Sequence, residues 1–210
     1  MKERGIIMTG ESVLGILAGR KTQTRRVVQD QALIISGGTV RGSRFGDVGD
    51  RLYVREAFAE NYFGDAQPGT LKHGYKANYD EARSRIADVV PEPRWTSPLF
   101  MPRALSRVTI EIVAVRIERL RDITEADAIA EGVRKQADAI AEGVWKHSLG
   151  QWWCGAPHKI KGTPMALPTA IEAYASLWDH MNGKRDGGIH AWAKSPWVWV
   201  LTFSRITETA

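Results

Sequence analysis

The pattern of apolar and polar side chains along the chain predicts three strands, two from alternation and one from a nearly continuous apolar run. In 51–56, a leucine and a valine alternate with charged and aromatic neighbours, as in a strand with one buried face. The alternation is clearest in RVTIEIVAVRIERL, which predicts a strand over 107–118. The stretch 196–206 is rich in β-branched and aromatic residues and predicts a closing strand. The letters RVV at 26–28 indicate the start of a further strand.

A helical period predicts three helices. The first covers 10–19, and Gly19 is placed to end it in a left-handed conformation. A second begins at Thr124, whose side chain and that of Asp127 have the spacing of a capping box. The third lies in the stretch 168–183. Its apolar side is formed by Ile171, Tyr174, Ala175, Leu177, Trp178 and Met181.

Two long segments interrupt these elements and read as insertions, at about 60–100 and 134–170. Both are rich in glycine and proline, which favour turns over regular structure. The sequence ADAIAEGV occurs twice, at 126–133 and 137–144, which indicates a copied helical segment. A small number of strands, helices that are separated along the chain, and the two long insertions predict an α+β fold. We expect one domain over 1–210 with a small antiparallel β-barrel.

Composition excludes several classes of protein. The chain has 43% hydrophobic and 25% charged residues, which is typical of a folded globular protein. It lacks an apolar run of about 20 residues that could cross a membrane, and its start has no apolar core of a secretory signal. Cys154 is the single cysteine, so an intrachain disulfide is impossible, and no metal-binding pattern is present. We expect a cytoplasmic protein without metal or cofactor.

The stretch LAGRKTQTRR, residues 17–26, concentrates positive charge in a chain whose net charge is +5. One interpretation is a solvated turn after the first helix. The other is a pocket for an anionic or nucleotide-like ligand, in which Lys21 and Thr24 carry chemistry. These two residues have opposite parity in a strand, so both reach one pocket only where the chain makes a turn or bulge.

Four pieces of the chain, in this order, resemble the ASCH domain of the PUA-like superfamily. They are the helix ending in LAGRKTQTRR, the turn and strand GDRLYVRE, the stretch RVTIEIVAVRIERLRDITEADAIAEG and the terminal WVWVLTFSRI. The stretches LWDHMNGK and PWVWV also resemble larger ASCH proteins of phages and prophages. The resemblance implies a PUA-like β-barrel with flanking helices and the recognition of RNA or a modified base.

Some small bacterial members of this family are amidohydrolases that remove the acetyl group from N4-acetylcytidine. The resemblance places their catalytic residues on Lys21, Thr24 and Glu131, with Glu142 of the repeat as a second candidate for the acid. Two role assignments stay open. Either neutral Lys21 activates Thr24, or Glu131 activates water while charged Lys21 stabilises the oxyanion. Residues expected to bind the substrate or a nucleic acid are Arg20, Arg25, Arg26, Arg55 and Glu56.

The alternative functions are a non-catalytic RNA- or DNA-binding module and a ribonuclease. In the first, Lys21 and Arg25 are phosphate contacts that give affinity without catalysis. Arg55 and Glu56 can equally form a structural ion pair at the end of a strand, and Trp152 and Trp153 are candidates for base stacking. The expected partner is a modified nucleoside, RNA or another single-stranded nucleic acid.

Overall fold

A computed structural model describes the parts of the chain that carry most of the predicted elements. Most of the segment 134–170, the second copy of the repeat and Glu142 lie outside the described residues. At 61–62, 72–73 and 152–153 the description covers the backbone alone. The described residues are 1–29, 31, 34, 42–62, 72–79, 93–135, 152–153 and 167–207.

The centre of the fold is a five-stranded sheet with the strand order β1-β3-β6-β9-β2. The three predicted strands are adjacent in it, since β3, β6 and β9 pair side by side and antiparallel. The longest pairing joins β6 to β9 and contains a register shift between Ile112 and Ala114. The strands are β1 (Glu3–Ile7), β2 (Gln23–Val27), β3 (Arg51–Arg55), β6 (Thr109–Arg119) and β9 (Trp197–Ile206).

The α+β class is confirmed, whereas the predicted closed antiparallel barrel is not found among the described strands. β1 pairs with β3 in parallel, so the sheet is mixed. β1 and β2 are its two edges, and no strand pairing joins them. β1 was not predicted, because its residues ERGII do not alternate between apolar and polar types, although in the structure Arg4 and Ile6 are the two that are withdrawn from solvent.

Two small sheets lie outside the central one. β4 (Phe58–Tyr62) and β5 (Lys72–Tyr75) form an antiparallel pair, so the segment 60–100 is more regular than predicted. β7 (Arg134–Lys135) pairs with β8 (Trp152–Trp153). That the segments 60–100 and 134–170 are insertions stays a prediction.

The three predicted helices are present as α1 (Gly10–Leu17), α2 (Glu125–Ala130) and α3 (Ala170–Asn182). Gly19 follows α1 with φ of +71°, the left-handed conformation expected of it. The capping box of α2 is formed in both directions by Thr124 and Asp127. None of the described helices is long and apolar enough to span a bilayer. Short 3-10 turns cover Pro98–Phe100, Arg103–Leu105, Leu120–Asp122, Arg185–Gly188 and Trp192–Lys194.

The central sheet has a hydrophobic cluster on each face, and β9 contributes to both. Leu201 and Phe203 pack with Val13 and Ile16 of α1. Residues of the other parity in β9, such as Val200, pack with α2 and α3. Because consecutive side chains of a strand point to opposite faces, a strand buried on both sides is apolar nearly throughout. Met181, predicted on the apolar side of α3, is instead exposed.

Candidate active site

Lys21 lies where the chain leaves α1 and passes the end of α2. The backbone N–H groups of Arg20 and Lys21 both donate to the carbonyl of Gly15, at 2.8 and 3.0 Å. This bond pattern turns the chain tightly after Gly19. The turn leaves Lys21 outside β2, which starts at Gln23. Strand parity therefore does not separate Lys21 from Thr24.

Glu131 caps the C-terminal end of α2, and Lys21 binds it twice. The Lys21 ammonium donates to the backbone carbonyl of Glu131 at 2.7 Å and to its carboxylate Oε2 at 2.8 Å. Carbonyls in the last turn of a helix lack partners within the helix, so a lysine there satisfies one of them. Gly132 has φ of +98°, and a Cβ there would lie 3.5 Å from the Lys21 Cβ. That distance is an ordinary van der Waals contact, so it is the backbone conformation that favours glycine here.

The other oxygen of Glu131 faces Arg25, which forms the centre of a buried charge network. The Arg25 guanidinium contacts Glu131 Oε1 at 3.3 Å, Glu118 Oε1 at 2.6 Å and Asp127 Oδ2 at 3.2 Å. It also donates to Gln23 Oε1 at 2.7 Å. The Arg25 side chain has no exposed surface. Its guanidinium is therefore occupied by carboxylates and is not open to a phosphate.

Within the described residues the network is electrically balanced. Arg116 contacts Glu118 at 2.8 Å and Asp127 at 3.1 Å, which adds a third cation to Lys21 and Arg25. The three carboxylates are those of Glu118, Asp127 and Glu131. Burial acts to raise the pKa of Asp127, but the hydrogen bond with Gln23 and the charge of Arg25 outweigh it and lower this pKa. Paired charges of this kind stay ionised in a desolvated place.

Burial acts strongly on the two proton-bearing groups beside Glu131. It lowers the pKa of Lys21 below its ordinary value, even though the Glu131 carboxylate acts in the opposite direction. It raises the pKa of Tyr174 well above the usual range, and the negative charge of Glu131 raises it further. Tyr174 therefore keeps its proton, and its neutral hydroxyl faces Glu131, to which it can donate.

Thr24 lies in β2, opposite Leu201 of β9, and is 1% exposed. Its side chain lines the same cleft as Lys21 and Glu131. Its hydroxyl forms no hydrogen bond with any other residue that the structure describes. The hydroxyl is therefore in the site without being held by a base in this state.

The cleft has a volume of about 1570 Å³ and lies beside the edge strand β2. Tyr174 and Trp178 of α3 supply an aromatic wall. Three arginines, Arg26, Arg44 and Arg185, line it as well. An aromatic wall with a few polar groups is typical of pockets for small organic ligands.

Six of the predicted site residues come together at this cleft: Lys21, Thr24, Arg25, Arg26, Glu56 and Glu131. Arg20 and Arg55 are not among the residues that line it. The Arg55 side chain packs against Gly5 of β1. A Cβ added at Gly5 would lie only 2.8 Å from the Arg55 Cδ. Glu56 does not pair with Arg55 as the structural alternative had it. It binds Arg107 through both oxygens, at 2.8 and 3.0 Å.

Several residues of the site come from other elements and were not predicted to belong to it. Glu118 and Asp127 lie on β6 and α2, Arg44 lies in a turn, and Arg185 begins the 3-10 turn Arg185–Gly188. Tyr174 was predicted on the apolar side of α3, and in the structure it is indeed part of a hydrophobic core cluster. The i, i+4 spacing of Tyr174 and Trp178 indicated a shared helix side, but nothing local indicated that this side faces a cleft.

No arrangement of three or more His, Cys, Asp or Glu side chains that could hold a metal ion exists among the described residues.

No family model matches the chain, and no curated protein matches it. Among solved structures, the chain is similar to an ASCH domain from Lactobacillus crispatus JV V101. The sequence identity is 10%, the TM-score is 0.41, and the match covers 97% of this chain and 79% of the other. Similarity at this level indicates nothing about activity.

Proposed function

We propose that the cleft binds a cytosine-like nucleoside and hydrolyses an N4-acetyl amide, with Lys21, Thr24 and Glu131 as the catalytic residues. The observation that carries the proposal is the buried Lys21–Glu131 pair, whose side chains are each 4% exposed. It lies on the wall of a cleft that the Thr24 hydroxyl also lines. The chemistry agrees with the resemblance of the sequence motifs to ASCH amidohydrolases.

In the proposed reaction the Thr24 oxygen attacks the carbonyl carbon of the acetyl group while its proton passes to the neutral amine of Lys21. The bond between that carbon and N4 then breaks, and Lys21 returns the proton to N4. Cytidine leaves, and the acetyl group stays on Thr24 as an ester. Water then hydrolyses the ester to acetate and restores the threonine hydroxyl.

The surroundings of Lys21 support its role as the base. A free lysine is charged at neutral pH and cannot accept a proton. Burial lowers the pKa of Lys21, so a larger share of this amine is neutral than in a free lysine, and the 2.8 Å hydrogen bond holds it beside Glu131. Both oxygens of Glu131 already contact cations, at 2.8 and 3.3 Å. Because both oxygens are engaged, Glu131 is better suited to holding Lys21 in position than to acting as a base for water.

A second function is a binding module that takes the same base without reacting. The Thr24 hydroxyl lacks a hydrogen bond to Lys21 in the described part of the chain, as a residue without a nucleophilic role would. The Lys21–Glu131 and Arg25 contacts would then serve stability alone. RNA and single-stranded DNA are the partners in this case.

The deciding experiment incubates the purified protein with N4-acetylcytidine and separates cytidine and acetate by chromatography. We expect turnover by the native chain. We expect Thr24→Val to lower the rate by at least a factor of about 100, the lower end of what a nucleophile or its base contributes. Circular dichroism checks that the variant keeps its fold.

Thr22→Val is the matched control, because Thr22 lies in the same segment but is exposed. It should keep the native rate. An active Thr24→Val protein would contradict the nucleophile role. A native chain that binds N4-acetylcytidine without converting it would leave the binding module as the function.

A further inference from the structure

Three arginines in the cleft differ from Arg25 in having no carboxylate partner. Arg26, Arg44 and Arg185 all line the cleft. Among the residues that the structure describes, none of their guanidinium groups forms an ion pair. Arg26 donates to the backbone carbonyls of Ile7 at 2.9 Å and of its neighbour Arg25 at 3.2 Å.

The other two arginines also have uncharged partners. The Arg44 guanidinium lies over the ring of Phe45, 4.8 Å from its centroid. Arg185 donates to the side-chain oxygen of Asn182 at 3.2 Å. Burial lowers the pKa of Arg26, and the Glu131 carboxylate acts against this. The positive charges of Arg44 and Arg185 act with burial. The three cations therefore repel one another, and because Glu131 is already engaged by two other cations, an anion bound between the arginines would relieve that repulsion.

The carboxylates that line the cleft are already partnered elsewhere. Glu131 contacts Lys21 and Arg25. Glu56 is held by Arg107 through both oxygens. Asp186 lies 3.1 Å from the ring of His190. Even when the charge of Asp186 is counted in full, the three arginines leave this side of the cleft with an excess of positive charge.

We propose that Arg26, Arg44 and Arg185 bind a phosphate group, so that the substrate is a phosphorylated cytidine and not the free nucleoside. This inference rests on the proposed function for the nature of the base. Arginine suits the task, because its planar guanidinium donates two parallel hydrogen bonds to phosphate oxygens.

The position of Arg26 fits a single ligand that spans the cleft. Arg26 follows Thr24 by two residues in β2, so their side chains leave the same strand face about 7 Å apart along the strand. A phosphate held by the arginines would therefore leave the base on the side of Thr24 and Lys21. The phosphate can be a terminal monoester, as in a mononucleotide, or an internal diester of RNA.

The test measures dissociation constants by calorimetry for cytidine, cytidine 5′-monophosphate and a cytidine trinucleotide without terminal phosphates. We expect at least one phosphorylated ligand to bind about 10-fold or more tightly than cytidine, the gain typical of one charged hydrogen bond. Preference for the mononucleotide identifies a terminal phosphate, and preference for the trinucleotide an internal one. Equal affinity for all three ligands would overturn the proposal.

Arg26→Gln and Arg185→Gln should each remove most of that preference while affinity for cytidine stays within about twofold. Arg185 is exposed, so its variant is expected to fold normally. Arg121→Gln is the control, because Arg121 is exposed and does not line the cleft. An equal loss in all three variants would show a general charge effect and overturn the site.

These affinities are independent of turnover. A phosphate preference without deacetylation would refute the amidohydrolase and keep the phosphate site. Deacetylation with no preference for phosphate would do the reverse.

Discussion

Two adjacent arginines that line the cleft are in opposite electrostatic situations. Arg25 lies fully buried against Glu118, Asp127 and Glu131. Arg26 is half-buried and donates to backbone carbonyls. The two arginines are consecutive in β2, so they point to opposite faces of the strand.

The comparison shows that Arg25 has a structural role in the site, whereas we propose that the charge of Arg26 is available to a ligand. Arg25 is neutralised by the protein and holds Glu131 in place for Lys21. Arg26 retains its charge in a cleft that a ligand can enter. A basic cluster in a sequence therefore has no single function, and the partners of each cation decide what it does.

The largest expected effect is on stability. Arg25→Met should lower the free energy of unfolding by about 3–5 kcal/mol, because it leaves buried carboxylates without their cation. Arg26→Met removes the same charge and should cost only about 1 kcal/mol, the value of a few exchanged hydrogen bonds. Urea denaturation measures both. Similar losses in the two variants would contradict the distinction drawn between them.

The next effect concerns pH. If neutral Lys21 is the base, kcat/KM should rise about tenfold per pH unit while Lys21 is charged, since only the deprotonated fraction reacts. The rise should level off below 10.5, the ordinary pKa, because burial lowers the pKa of Lys21. Rates of acetate release over a pH series give the profile.

Lys21→Arg separates the two roles of this residue. Arginine keeps its charge at every accessible pH, so the variant should be inactive if Lys21 is the base. An active Lys21→Arg variant, or a native rate that falls as pH rises, would instead favour charged Lys21 as the oxyanion stabiliser.

The smallest effect is on salt dependence. Affinity for a single-stranded oligonucleotide should fall with salt, and Arg26→Gln should reduce the slope of log affinity against log salt by about 0.7. Arg25→Gln should leave the slope unchanged, because Arg25 is neutralised inside the protein. Fluorescence anisotropy at several salt concentrations measures the slopes. A native slope near zero would show that the cleft does not bind a nucleic-acid backbone.

Much of the fold could be predicted because its signals are local. Alternation predicted β3 and β6, and a run of β-branched and aromatic residues predicted β9; these strands are adjacent in the sheet. The capping box at Thr124 and the left-handed Gly19 depend on contacts within a few residues. The edge strand β1 was not predicted, because its residues ERGII do not alternate. The open, mixed sheet was not predicted, because strand partners lie far apart in the chain.

For the candidate site, the sequence by itself indicated Lys21, Thr24 and Glu131 through the resemblance and the order of its motifs, and it identified 17–26 as a basic cluster. Only the tertiary structure decided which cations are neutralised. Lys21 meets Glu131 across 110 positions, and Arg25 meets Glu118 across 93. The free energy of a charged group depends on its burial and on the charges within a few ångströms. Those neighbours are fixed by folding. For this reason the adjacent residues Arg25 and Arg26 differ in their charge partners, although the sequence presents them alike.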